Sequence, residues 1–194
     1  MHNALFYIIL VIIVFDYILE RFLDYLNSRK WSADLPAELQ DVYDAEQYRK
    51  SQEYKRANDR FSLVTSTFSF LLIISMLLFN GFSLVDSWAR NFTDHPILIA
   101  LIFFGILALA FEILSLPFAI YDTFVIEEKF GFNRTSPKVF ILDKIKGLLL
   151  GAIIGGSILS VVIYFYQLTA NLFWIYAWIV ISIFSVFMTM FYST

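Results

Sequence analysis

At 194 residues the chain has the size of one ordinary domain, yet 59% of its residues are hydrophobic and 19% aromatic, more apolar surface than a water-soluble fold of this length buries. Seventeen acidic residues against fourteen Lys and Arg leave a formal net charge of −3, which excludes bulk electrostatic attraction to nucleic acid. With no cysteine, disulfides, iron–sulfur clusters, thiolate zinc sites and cysteine nucleophiles are excluded within these residues.

The apolar runs predict an all-α, polytopic membrane helix bundle: about five transmembrane helices, plus a charged helix at the cytoplasmic face, in one membrane domain over residues 1–194. The first span is expected at about 4–26. It begins almost at residue 1, without a basic leader or a small-residue cleavage site, and so reads as a retained span. Asp16, Glu20 and Asp24 recur at i, i+4 and i+8 and form an acidic stripe on its C-terminal half. Residues 27–60 are polar. Their densest stretch, DAEQYRKSQEYKRANDR (44–60), has the composition of an exposed or interfacial helix.

A second span is expected at 61–84 and a short polar turn, DSWARNFTDH, after it. The third span, 96–121, contains Glu112 and Pro117. A charged segment, 122–146, is read as a cytoplasmic loop; a fourth span fills 147–168 and a fifth 171–192. Of the 14 Lys and Arg, eight lie between Arg21 and Arg60, one (Arg90) in the second link and five in the third, with none in the fourth link or the tails. This alternation places the N-terminus outside and the C-terminus in the cytoplasm, with 27–60 and 122–146 on the cytoplasmic face. The lack of long insertions favours a bacterial plasma membrane over the endoplasmic reticulum.

Hydrolytic chemistry finds little support. Zinc hydrolysis needs convergent nitrogen and oxygen ligands, often two His one helical turn apart. The two histidines here, His2 and His95, each open an apolar run and accompany no such motif. A serine triad lacks a base for the same reason. GLLLGAIIGG follows no strand and lacks the phosphate-loop Lys; Gly147, Gly151 and Gly155, at intervals of four, and the second small pair Ala152 and Gly156 instead suit close helix approach in lipid. Glu112 is costly in a bilayer unless it faces protein or water. It marks either a polar interior cavity, lined also by Asp16 and Glu20, or a protonated acid hydrogen-bonded to a neighbouring helix.

The segments QYRKSQEYKRANDRFSLV (47–64) and LPFAIYDTFVIEEKFGFNRTSPKVFILDKIKG (116–147) resemble the N-terminal membrane domain of the type I CAAX prenyl endopeptidases, integral-membrane zinc metallopeptidases. The resemblance covers the chain in order and spacing, and its best parts are the Tyr…Tyr…Phe helix and the EEKFGFN loop. It implies spans around a water-filled substrate chamber, with Asp16, Glu20 and Glu112 as lining candidates. It also implies an HExxH zinc domain following the fifth span, in the same or a separate chain. No position here matches a zinc ligand or catalytic residue, so zinc is expected only in that domain and the chain is expected to be inert alone. Glu127, Glu128, Phe130, Gly131, Phe132 and Asn133 are the candidates for a docking loop, the other reading being an interfacial anchor. The implied partners are the bilayer, the zinc domain and a membrane-associated or prenylated peptide. Two other readings are a free-standing scaffold or substrate-binding protein without hydrolysis, and a small channel or transporter.

Overall fold

A computed structural model describes residues 4–29 and 44–192; His2 and most of the polar stretch between the first two helices lie outside the described residues. Among these the secondary structure is helical throughout. Helices α1 (Ala4–Ser28), α2 (Ala45–Leu78), α3 (Gly81–Phe92) and α4 (Pro96–Tyr121) are followed by a π-helical segment (Asp122–Glu127) and one turn, α5 (Glu128–Phe130). Helix α6 (Pro137–Thr169), a 3-10 turn (Ala170–Leu172) and α7 (Phe173–Tyr192) complete the order. Among the described residues, four helical stretches are long and apolar enough to cross a bilayer: 45–78, 96–130, 137–169 and 173–191. The charges Asp16, Glu20 and Arg21 fall in every 18-residue window of α1, which is why it is not one of the four by composition. Large apolar side chains along every span point outward, as they must where lipid is the solvent.

The element boundaries depart from the sequence expectations in four places. The charged helix and the second span are not separate elements. With no Gly or Pro between 45 and 78, α2 runs as one helix of 34 residues, about 51 Å, so its charged half extends past the hydrocarbon. Asp44 caps it: Oδ1 accepts from the backbone N–H of Glu46 at 2.8 Å and of Gln47 at 3.0 Å. The expected span to residue 84 ends instead at Leu78, where Asn80 takes the left-handed conformation (φ 57°). The expected polar turn is largely helix α3, because Val85 and Ala89 bury one face and Arg90 Nε donates to Asp86 Oδ2 at 2.8 Å on the other. Finally, the expected loop 122–146 shrinks to Gly131–Ser136. Pro137 starts α6 ten residues early, at the first helical position where its missing N–H costs nothing, and PKVFILDKIK is apolar enough to continue the span.

The chain divides into two compact units: residues 1–82 with 114–134, and 83–113 with 135–194. In the first, α1 is pinned to α2. The Tyr17 and Phe70 rings stack at 4.1 Å and 13°, and Tyr17 Oη lies 2.8 Å from Thr67 Oγ1. Thr67 already donates its proton to the Leu63 carbonyl at 2.6 Å, so Tyr17 is the donor. In the second, α6 and α7 form an antiparallel hairpin closed by aromatic pairs: Phe165 stacks on Tyr176 at 5.1 Å and Tyr166 meets Phe173 edge-on at 5.0 Å.

Candidate functional site

The first candidate region belongs to the first unit and is built on α2. Tyr54, Phe61 and Phe68 recur every seven residues, close to two helical turns, and therefore share one face. Each meets an aromatic ring from residues 114–134. Phe68 packs on Phe118 at 4.9 Å and Phe61 on Tyr121 at 5.1 Å. Tyr54 packs on Phe130 at 5.3 Å and on Phe132 at 4.7 Å. The chain direction of this seam is antiparallel, since rising numbers on one side meet falling numbers on the other. Pro117 lies inside the helix that carries it; its ring removes the hydrogen bond to the Ile113 carbonyl. The π-helical segment, which buries Ile126, then re-aims the following turn, which buries Phe130.

The EEKFGFN motif is a helix terminator. Gly131 takes φ 76°, ψ 23°, a left-handed conformation that disfavours any side chain. The Gly131 N–H donates to the Glu128 carbonyl at 3.1 Å. The Phe132 and Asn133 N–H groups donate to the Glu127 carbonyl at 2.9 and 3.3 Å. Asn133 Nδ2 also donates to Glu128 Oε2 at 2.9 Å. These bonds satisfy the last carbonyls of the helix and fix the turn. The two aromatic docking candidates thereby separate. Phe130 is only 6% exposed and is consumed against Tyr54, whereas Phe132 remains 53% exposed. Lys50, one turn before Tyr54 on α2, brings Nζ to 6.0 Å from the Phe132 ring centre. The sequence reading missed both Tyr54 and Lys50 as individual residues. The seven-residue aromatic spacing was the available signal for Tyr54; Lys50 had none.

Asp16 and Glu20 are exposed on α1 in this same unit. Their stripe is partly neutralised by Arg21, which lies 3.0 Å from Asp24 Oδ2 and 3.6 Å from Glu20 Oε2, with its guanidinium 5.5 Å from the Tyr17 ring centre. Arg21 completes an internal charge cluster on one helix.

Glu112 belongs to the second unit. Lys144 Nζ lies 3.0 Å from Glu112 Oε1, and the two side chains are 36% and 35% exposed. Because α6 starts at Pro137, Lys144 sits inside a membrane helix rather than in the expected loop. Each charge supplies the counterion that hydrocarbon denies the other. Of the two small-residue sets expected to let helices approach, the Ala152–Gly156 pair makes a close approach within this unit, at Gly156. A Cβ at Gly147, Gly151 or Gly155 would meet no atom within 4 Å, whereas one at Gly156 would touch Leu101 Cδ2 at 3.5 Å, so Gly156 makes the close approach within this unit. Among the described residues no three His, Asp or Glu side chains gather to hold a metal. The described donor set therefore does not fit a catalytic zinc.

Comparison with known proteins gives these features a context. A family model described as CAAX prenyl protease N-terminal, five membrane helices, matches residues 24–194. The probable CAAX prenyl protease 1 of Schizosaccharomyces pombe is 30% identical over 156 residues, covering 74% of this chain and 33% of that protein. The CAAX prenyl protease 1 homolog of Mus musculus is 28% identical over 186 residues, covering 91% of this chain and 39% of that protein. The crystal structure of S. mikatae Ste24p matches with a TM-score of 0.85 at 25% identity, over 99% of this chain and 47% of that one. The chain thus spans between a third and a half of the length of these relatives. With the family model matched from Asp24 to the last residue and the fold shared at that TM-score, the chain belongs to the CAAX prenyl protease N-terminal family of multi-pass membrane proteins.

Proposed function

We propose that this chain is the transmembrane domain of a CAAX-type zinc metalloendopeptidase, contributing part of the substrate chamber and the surface on which an HExxH zinc domain docks, and that it is not catalytic alone. The observation that carries this reading is the family match over residues 24–194, set against relatives two to three times as long. Bound zinc would supply the water-activating chemistry from ligands of the docked domain. The residues of this chain bind and orient. Asp16, Glu20 and Glu112 give the chamber wall polar groups on otherwise apolar helices. Glu127, Glu128, Gly131, Phe132 and Asn133 present the docking turn, with Phe130 holding it to α2. The substrate class is a membrane-associated or prenylated peptide. The N-terminus lies outside and the C-terminus in the cytoplasm, so that the charged half of α2 and the 131–136 turn share the cytoplasmic face. The relatives named above are eukaryotic, which sets the bacterial expectation against an internal eukaryotic membrane.

The test is reconstitution in liposomes of residues 1–194 with and without a zinc domain from a relative, followed with a fluorescent prenylated peptide. The proposal expects binding without cleavage by the membrane domain and cleavage when both are present. Cleavage by residues 1–194 alone would refute the division of labour, and absence of binding would refute the chamber.

A further inference from the structure

The docking turn has a cationic half that lies on a different helix. Lys50 is exposed, and among the described residues no carboxylate lies within 4 Å of its Nζ, although Glu46 and Glu53 flank it in sequence. Its ammonium stands over Phe132 at 6.0 Å, and a Cβ at Gly131 would lie 3.7 Å from it. Gly131 supplies the left-handed turn that brings this loop beside the amine. Lys129, 5.4 Å from the Phe130 ring centre, adds a second cation to the same aromatic cluster. On the acidic side, Glu128 already accepts from Asn133. The result is an exposed ring, Phe132, packed on Tyr54 and flanked by an ammonium with no carboxylate within 4 Å among the described residues. Such a pairing of an aromatic anchor with a cation suits an acidic side chain beside an apolar one on a folded partner.

We infer that Lys50 is the charged anchor of the docking surface, and that it receives an Asp or Glu carboxylate from the zinc domain while Phe132 packs against an apolar neighbour of that acid. This rests on the docking proposal above. A protein occupant is favoured over a lipid headgroup because the relatives carry more than half their length outside the matched region, and that mass has to seat on the membrane domain.

Zero-length carbodiimide cross-linking of the native-length protein in its own membranes tests this, since it joins only an amine and a carboxylate in direct contact. The expected product is an amide between Lys50 and an acidic residue outside 1–194, found by mass spectrometry. Lys50→Arg keeps the charge, loses this link and leaves assembly intact. Lys50→Glu lowers about tenfold the capture of a zinc domain supplied as a separate chain, the loss expected for ~1.4 kcal/mol at one contact. The inference is overturned if Lys50 links only to Glu46, Glu53, Glu127 or Glu128. Capture by a photoreactive anionic phospholipid overturns it too, as does no link at Lys50 while other residues of 1–194 do link to the zinc domain. If no residue of 1–194 links to such a domain, it is the docking proposal itself that fails.

Discussion

Replacing Glu112 by Gln removes one half of an ion pair between two membrane helices, and the cost follows from the geometry. At 3.0 Å and an effective dielectric of about 20, the Coulomb attraction is ~5.5 kcal/mol before desolvation is counted. Both side chains keep roughly a third of their surface open, and Lys144 has a long stem that reaches toward the interface when released. The penalty should therefore fall below the ~3–5 kcal/mol typical of a fully buried broken pair, at about 2 kcal/mol. Lys144→Met should cost a similar amount. The double variant Glu112→Gln/Lys144→Met leaves no charge in the span and should cost less than about 1 kcal/mol. The coupling read from the cycle is then at least about 3 kcal/mol of recovery. Reversible unfolding in mixed micelles, followed by helicity, gives all four stabilities. Additive single losses would refute the pairing argument and would mean that both groups face water independently.

The Tyr17→Phe variant removes one interhelical hydrogen bond to Thr67 but keeps the stack on Phe70, and should cost about 0.6 kcal/mol in the same unfolding assay. Gly131 variants should lose stability in the order Asn, Ala, Val, with ~1–2 kcal/mol at Ala. The cost is conformational, since the nearest atom to an added Cβ is at an ordinary contact distance. Tyr54→Ala opens the aromatic seam and should make the amides of residues 126–133 exchange at least tenfold faster, as read by hydrogen exchange, while those of α7 stay unchanged. The hydrogen bond from Arg90 holds the Asp86 carboxyl below its ordinary value of 3.8, outside the spans. Its contribution to α3 is therefore complete above that value and lost as pH falls through the lower folded-state pKa; Asp86→Asn should abolish the acid-side change in helicity.

How much of this was legible beforehand depends on the kind of signal involved. Span number, helical class and family resemblance followed from apolar runs and the EEKFGFN motif, because lipid forces backbone hydrogen bonds inside each segment. Ends were harder. The charged half of α2 looked like a separate helix because composition changes near Phe61, but helices stop at backbone breaks, and none occurs before Asn80. The early start of α6 was hidden by Lys144 and Lys146, whose charges mimic a loop; Glu112 compensates Lys144 only in three dimensions. The acidic stripe on α1 is visible in the spacing, whereas the Arg21–Asp24 ion pair depends on side-chain reach that spacing alone does not set. Long-range partners such as Tyr54 with Phe130 join residues more than seventy positions apart, beyond any local periodicity.

The most direct measurement is the size and company of the native polypeptide, by immunoblot of source-cell membranes with an antibody to residues 27–60 and by metal analysis of what that antibody captures. A band well above 22.6 kDa, or a 22.6 kDa band that brings down a zinc-containing HExxH protein, is the predicted result. A 22.6 kDa band captured without zinc and without such a partner would contradict the account and leave a free-standing membrane scaffold in its place.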